Sequence, residues 1–205
     1  MSGRVAAIVA AAGAGTRLGK GSKALVQLNG RTALARVLEL FLALDEVSTI
    51  VVAAPPSRLE VVRAEVEALQ PRKRVTVCAG GESRQQSVRA ALAALEGGCE
   101  WVLVHDAARP LVSAALVRRV LAAAIETGAA FPGLPPRDAV KRVEGNRLVE
   151  SLDRSRIVLA QTPQGFGYEL LLRSHREAHE CGLVGDDDAQ LVAALGHPVA
   201  ERRHQ

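Results

Sequence analysis

Short apolar runs alternate with amphipathic helical patterns along this chain. Residues 4–10, 49–54, 74–78, 101–105 and 129–134 are each predicted to form a strand. Helical patterns lie between these runs, the first at residues 33–44. Alternating strands and helices build parallel sheets that are covered on both faces and bind ligands at the carboxyl ends of the strands. The pattern therefore predicts an α/β fold with a mainly parallel twisted sheet flanked by helices, in a Rossmann-like arrangement.

Capping residues mark where several of these helices begin. The predicted caps are Thr32, Ser57 with Glu60, Ser83 with Gln86, and Ser113. Later in the chain we expect a strand at 157–161, helices at 168–180 and 188–195, and a closing strand at 198–201.

The pattern changes after Pro135-Pro136. Residues 138–143 and 147–152 alternate polar and apolar side chains around a turn at 144–146, which predicts a β-hairpin arm over about 136–153. An isolated two-stranded hairpin is barely stable in water. The arm therefore needs a surface to lie on, and a second copy of the chain is our hypothesis for that surface.

Composition narrows the class of protein. At 205 residues and 48% hydrophobic content, the chain can form one domain, residues 1–205, that includes the arm. Only 2% of residues are aromatic, which argues against a stacking platform for nucleic acid. The net charge of +4 is scattered along the chain and favours a small phosphorylated ligand. The three cysteines form no paired motif, and the sequence shows neither a signal peptide nor a membrane-spanning run. We therefore expect a cytoplasmic protein that does not bind membranes.

A loop of small residues follows the first predicted strand. Small side chains let backbone N–H groups approach phosphate oxygens, and Arg17 and Lys23 bring positive charge to the same place. A Rossmann fingerprint would need a small residue instead of Leu18, and a Walker loop would need glycine instead of Ala14. The loop thus predicts a polyphosphate site of another kind, with a flexible connection as the alternative.

Three further segments carry candidate chemistry. The segment 80–87 can hold a base or sugar with Gly81 and Ser87, or it is a capped helix start. Asp106 can accept a hydrogen bond from a substrate hydroxyl or lie near a magnesium ion, with Arg109 holding it or reaching an anion. Alternatively, these two residues form a structural ion pair. Arg154 is either a phosphate clamp or an ordinary solvated arginine.

Two other groups are less informative. His105 follows a buried run with no serine or cysteine nucleophile nearby, so it is assigned no catalytic role. The acidic run 186–188 fits a helix cap as well as a cation site, and zinc-ligand spacing is absent. No protein-held metal site is predicted.

Two phosphorylated substrates would explain the lack of a nucleophile. A phosphate monoester is largely a dianion at pH 7 and needs positioning rather than a base. Its attack on the α-phosphorus of a nucleoside triphosphate spreads charge over oxygens that Lys23, Arg17 and Mg²⁺ can stabilise. These residues favour nucleotidyl transfer.

Collinear motifs over nearly the whole chain carry a family resemblance. The chain resembles the 2-C-methyl-D-erythritol 4-phosphate cytidylyltransferase family in AAGAGTRLGKGSK, GGESRQQSV, VHDAARP, DAVK, LDRS and QTPQGF. The resemblance implies a nucleotidyltransferase fold that joins CTP to a polyol phosphate, methylerythritol phosphate. It also implies Mg²⁺ carried mainly by the CTP phosphates, release of pyrophosphate, and a homodimer whose arms help build the partner's acceptor site.

The resemblance also implies residue roles. The catalytic set would be Arg17, Lys23 and Arg154. The CTP-binding set would be Ala11, Ala12, Gly13, Gly15, Lys23, Gly81, Glu82, Ser87 and Ala107. The acceptor-binding set would be Asp106, Arg109, Arg154 and Asp186.

Some positions depart from the family pattern. Ala139 and Asp186 stand where threonine is usual, and Ser22 stands where proline is usual. We expect the family's closing segment to lie beyond Gln205, so that a C-terminal tail is missing from this sequence. The alternatives are a ribitol 5-phosphate cytidylyltransferase, a nucleotidyltransferase for another base, and a catalytically impaired nucleotide-binding module.

Overall fold

Strands and helices alternate along the chain in a computed structural model, which describes residues 4–13, 22–95 and 98–203. The strands are β1 (Val5–Ala10), β2 (Gln27–Leu28), β3 (Arg31–Thr32), β4 (Val47–Ala54), β5 (Arg74–Ala79), β6 (Trp101–Asp106), β7 (Ala129–Leu134), β8 (Lys141–Glu144), β9 (Arg147–Ser151), β10 (Leu159–Ala160), β11 (Gln164–Gly167) and β12 (Ala200–Arg203). The helices are α1 (Ala33–Ala43), α2 (Leu59–Ala68), α3 (Arg84–Ala94), α4 (Ala114–Thr127), α5 (Tyr168–Glu180) and α6 (Asp188–Ala194). Short 3₁₀ turns lie at Lys23–Leu25, Pro56–Arg58 and Arg154–Arg156.

The described residues form one eight-stranded sheet and two two-stranded sheets, β2-β3 and β8-β9. The order of the eight-stranded sheet is β10-β7-β11-β6-β1-β4-β5, with β12 paired to β7. Strand β1 lies parallel to both β4 and β6, and β4 lies parallel to β5. Strand β11 runs antiparallel to both β6 and β7, so those two strands share one direction. The predicted α/β fold with a mainly parallel sheet is thus confirmed.

Each face of the sheet buries its own apolar layer. Along β1, Val5, Ala7 and Val9 point into one layer, while Ala6 and Ile8 point into the other. Helices α1 and α4 cover the first layer and α3, α5 and α6 contribute to the second. Burial on both faces explains why β1 is an uninterrupted apolar run.

The predicted helix starts are confirmed at three positions. The hydroxyls of Thr32 and Ser113 each accept a backbone N–H bond at the start of α1 and α4. Ser83 and Gln86 form the predicted capping box of α3. The box at Ser57 is wrong, because a 3₁₀ turn at Pro56–Arg58 absorbs that serine and α2 begins at Leu59 without a side-chain cap.

In the carboxyl-terminal half of the chain, the structure differs from several predictions. The strand predicted at 157–161 is reduced to β10, preceded by a 3₁₀ turn. Strand β11 was not predicted, since its sequence, Gln-Gly-Phe-Gly, lacks the β-branched residues that favour strands. The hairpin is confirmed, with strands β8 and β9 shorter than expected. None of the helices in the described parts of the chain is long and apolar enough to cross a membrane.

Candidate active site

A cleft opens at the carboxyl edge of the sheet, where the loops after β1 and β6 and the start of α3 meet. It has a volume of about 470 Å³. Its described walls are Ala10, Ala11, Ala12, Gly13, Lys23, Ala24, Arg84, Ser87, Asp106 and Ala108. These residues come from segments far apart in the chain, as expected for a ligand site at the carboxyl ends of parallel strands.

Backbone hydrogen bonds beyond the strand ends hold the loops around this cleft together. The N–H of Ala11 donates to Ala53 O at 2.9 Å, and the N–H of Ala107 donates to Ala10 O at 3.0 Å. Ala107 is fully buried, and its N–H is committed to this contact. This hydrogen bond helps to fix the positions of its neighbours, Asp106 and Ala108.

The described part of the small-residue loop, residues 11–13, follows β1 directly. Ala11 is buried, Ala12 is half-buried, and Gly13 is exposed with open space where a side chain would be. All three line the cleft, as does the half-buried Lys23 at the start of a 3₁₀ turn. The predicted residues Gly15 and Arg17 lie outside the described residues.

Two residues of the segment 80–87, Arg84 and Ser87, line the cleft. A Cβ atom on Gly80 would lie 2.4 Å from Ala12 Cβ, so the two loops approach too closely for a larger residue. The Ser87 hydroxyl accepts from the N–H of Gly81 at 3.1 Å and donates to Ser83 O at 2.8 Å. Ser87 is therefore used to shape the loop as well as to line the cleft.

Two further members of the predicted CTP-binding set lie at the edge of this segment. Glu82 is exposed, and its N–H donates to Gln86 Oε1 at 2.8 Å. Gly81 is half-buried. Neither is among the described residues that line the cleft.

Asp106 carries negative charge into the cleft and is paired with two arginines. Arg84 Nε donates to its Oδ1 at 2.9 Å, and Arg109 Nε donates to its Oδ2 at 3.3 Å. The ion pair with Arg109 that the sequence suggested is therefore present. Arg109 also donates to the Gln161 side chain and remains 42% exposed. It can turn toward an anion without first leaving a buried position.

Arg84 was missed as a functional residue by sequence reasoning. Besides Asp106, it binds Asp188 through Nη1 at 2.7 Å. Burial alone would lower the pKa of Arg84. The carboxylates of Asp188 and Asp106 outweigh this effect, so the pKa lies above its usual value. It is therefore a permanent cation on the wall of the cleft. Its position in the first turn of α3, three residues before Ser87, was the available signal.

His105 lies directly behind Asp106 and is fully buried against the Phe41 ring, with the ring centroids 5.7 Å apart. Its Nε2 is 3.1 Å from Arg109 O and its Nδ1 is 2.9 Å from Thr162 Oγ1. A carbonyl oxygen only accepts, so Nε2 holds the proton and the Thr162 hydroxyl donates to Nδ1. Burial lowers the pKa of His105 to about 4, although its hydrogen bond to Arg109 O opposes this shift.

Two predicted acceptor residues lie outside this cleft within the described chain. Arg154 is exposed beside the hairpin and donates from Nη1 to Arg137 O at 3.0 Å. Asp186 is exposed, and its N–H donates to Gln190 Oε1 at 2.8 Å. Within the acidic run, the side chain of Asp187 caps α6. This agrees with the helix-cap interpretation at that residue.

The described residues include no cluster of three or more metal-ligating acidic, histidine or cysteine side chains. Among the described cleft walls the carboxylate is that of Asp106, and both of its oxygens are bonded to arginines. This donor set does not fit a resident Mg²⁺ ion held by protein ligands alone.

The fold and the cationic cleft of small residues are those of a nucleotidyltransferase. The family model IspD, 2-C-methyl-D-erythritol 4-phosphate cytidylyltransferase, matches residues 5–201. The chain belongs to this family.

Known relatives support this assignment along nearly the full chain. The 2-C-methyl-D-erythritol 4-phosphate cytidylyltransferase of Acidobacterium capsulatum is 43% identical over 207 residues, covering 96% of this chain and 87% of the relative. The crystal structure of the enzyme of the same name from Thermus thermophilus is 38% identical, with a TM-score of 0.77 over 97% of this chain and 88% of the other. A 4-diphosphocytidyl-2C-methyl-D-erythritol synthase structure from Anaerococcus prevotii, at 22% identity, shares the fold with a TM-score of 0.88, covering 100% of this chain and 88% of that one.

Proposed function

We propose that this protein transfers the cytidylyl group of CTP to 2-C-methyl-D-erythritol 4-phosphate in the non-mevalonate route to isoprenoids. The products are 4-diphosphocytidyl-2-C-methyl-D-erythritol and pyrophosphate. The observation that carries the proposal is that Lys23, the small residues 11–13 and the Arg84–Asp106 pair line one cleft. Family membership over residues 5–201 supports the choice of substrates.

The chemistry needs positioning and charge stabilisation rather than a protein nucleophile. An oxygen of the acceptor phosphate bonds to the α-phosphorus of CTP, and the bond from that phosphorus to the β-phosphate oxygen breaks, so pyrophosphate leaves. We propose that Lys23, which lines the cleft, stabilises negative charge on the α-phosphate oxygens. Arg17 is proposed for the same role. Mg²⁺ enters as part of the substrate, carried by the CTP phosphates, and neutralises their charge when bound.

The remaining site residues divide between the two substrates. For CTP we propose backbone groups and small side chains, at Ala11, Ala12, Gly13, Gly15, Gly81, Glu82, Ser87 and Ala107. For the acceptor we propose Asp106, Arg109, Asp186 and Arg154. Asp106 lines the cleft and Arg109 is bonded to it, which supports a role of this pair toward the second substrate.

We also propose that the protein is a cytoplasmic homodimer. Every residue of β8 and β9 is exposed in a single chain. Val143 and Leu148 have 58% and 62% of their surface exposed. A hairpin this exposed gains stability by packing on another surface, and a second copy would also bring Arg154 toward that copy's acceptor site. The free thiols of Cys78, Cys99 and Cys181 support a reducing compartment.

Pyrophosphate release from CTP tests the function. We expect Mg²⁺-dependent release with methylerythritol phosphate and none with ribitol 5-phosphate, and the reverse selectivity would refute the choice of acceptor. Lys23→Ala should lower kcat by about a hundredfold or more, the usual loss for one electrostatic stabiliser. Arg63→Ala is the matched control, because it removes an exposed cation on α2 outside the cleft.

The arm is tested separately. Light scattering at micromolar concentration should give the mass of a dimer, and a monomer would contradict the proposal. Arg154→Ala should impair use of the acceptor while CTP affinity is retained. Equal loss of both would mean that Arg154 is structural.

A further inference from the structure

A chain of charged groups runs from the cleft into the protein interior. Asp106, on the cleft wall, accepts from Arg84 Nε at 2.9 Å. Arg84 Nη1 donates to Asp188 Oδ2 at 2.7 Å, and Asp188 Oδ1 lies 2.8 Å from His175 Nε2. An ionised carboxylate only accepts, so His175 donates this last bond. The chain joins β6, α3, α6 and α5, which are far apart in sequence.

The inner end of this chain is inaccessible to substrate. The side chains of Asp188 and His175 are each only 1% exposed, whereas those of Arg84 and Asp106 are 26% and 25% exposed. Burial alone would raise the pKa of Asp188, but Arg84 and His175 more than offset it and the pKa lies below its usual value. Asp188 therefore remains a buried anion, and both of its carboxylate oxygens accept hydrogen bonds. We refer to this immobilised carboxylate as the fixed point of the charged chain.

This fixed point determines the direction of Arg84. An arginine side chain has several rotatable bonds, and a single partner at one nitrogen leaves its guanidinium plane free to turn. Here two carboxylates bind two different nitrogens, so the plane is set from both sides. Arg84 in turn holds Oδ1 of Asp106, while Arg109 holds Oδ2 at 3.3 Å. Asp188 therefore fixes the more buried of the two guanidinium groups that bind the cleft carboxylate.

We propose that Asp188, held by His175, is a positioning residue for nucleotidyl transfer, acting through Arg84 to orient the Asp106 carboxylate toward the acceptor. The inference rests on the proposed function and adds to it a residue that does not touch either substrate.

A purely structural role for Asp188 is the competing explanation, and the surrounding contacts make the two separable. Helix α6 is also anchored by Gln164, whose Nε2 donates to Asp187 Oδ2 at 2.8 Å and whose Oε1 accepts from Ala189 N–H at 3.1 Å. The fully buried Val192 anchors the same helix in the core. These anchors remain when Asp188 is replaced by an isosteric neutral residue.

The test is the steady-state kinetics of Asp188→Asn in the full chain, with CTP and methylerythritol phosphate varied in turn. If the Asp106 carboxylate loses its orientation, the KM for the acceptor should rise by about tenfold, while the KM for CTP stays within about twofold of the wild-type value. In an Asp106→Asn background the same substitution should have almost no further effect on the acceptor KM, because the group that it orients is no longer a carboxylate.

Ser174→Ala is the matched control. Ser174 is also fully buried on α5, and its hydroxyl bonds to Leu170 O of its own helix, at 2.8 Å. The substitution should lower the melting temperature without changing either KM. If Asp188→Asn does not fold, His175→Leu tests the same inference, because it removes the donor to Asp188 and should raise the acceptor KM by about threefold.

Three outcomes would overturn the positioning role: both KM values rising together, both staying unchanged, or the full effect persisting in the Asp106→Asn background. No pyrophosphate release by the wild-type protein would instead show that the proposed function itself is wrong.

Discussion

Lowering the pH from 8 to 5 should destabilise this protein through the buried His105. His105 is held neutral between a carbonyl that accepts from Nε2 and the hydroxyl of Thr162 that donates to Nδ1. A second proton on the ring would sit on Nδ1, where the nitrogen could no longer accept the hydrogen bond from Thr162. Because the ring is fully buried, water could not stabilise the added charge. Burial therefore lowers the pKa of His105 to about 4.

The sign and size of the effect follow from the two pKa values. The unfolded chain binds the proton with a pKa near 6.5, so acid favours the unfolded state until the pH reaches the folded value of about 4. At pH 5 this proton favours unfolding by a factor of about 30, or about 2 kcal/mol, whereas at pH 8 its contribution is close to zero.

Chemical denaturation at pH 8 and pH 5 measures this difference. The wild type is compared with His105→Gln, which removes the titratable ring. All other ionisable groups are the same in both proteins, so their contributions cancel in the comparison. The wild type should lose about 2 kcal/mol more than the variant between the two pH values. Equal losses in the two proteins would refute the assignment of His105 as a buried neutral ring.

Two further substitutions test local features. Gly80→Ala would put a methyl group 2.4 Å from Ala12 Cβ and 2.9 Å from Ser87 Oγ. This overlap should lower the free energy of unfolding by about 1–3 kcal/mol and weaken CTP binding measured by calorimetry. Unchanged CTP binding would contradict the close approach of these two loops. Thr32→Ala removes the acceptor for Ala35 N–H at the start of α1 and should cost about 1 kcal/mol in thermal unfolding, with Thr32→Ser as the control that retains the bond.

The regular part of the fold could be predicted because it depends on local patterns. The uninterrupted apolar run of β1 and the capping side chains of Thr32, Ser83 and Ser113 act within a few residues of themselves. Lys23 and Asp106, both on the cleft wall, could also be selected from the sequence, since their residue types suit phosphate chemistry wherever the chain folds. The prediction at Ser57 was wrong because a proline-led 3₁₀ turn competes with capping at that point.

Strand β11 and the buried charges were decided by tertiary structure. Gln164–Gly167 is a strand because it fits between β6 and β7, although its own sequence has little strand preference. Asp188 and His175 carried one local hint, since each lies on the apolar side of its helix with buried neighbours. Arg84, the partner of Asp188, is 104 residues away from it in the sequence.

The sequence alone indicated the class of chemistry and the order of most strands and helices, because both depend on residue type and short-range periodicity. The tertiary structure alone decided which charges meet. A contact between residues in different helices depends on how those helices pack on the sheet, and the free energy of burying a carboxylate is favourable only when that packing brings its partners within hydrogen-bond distance.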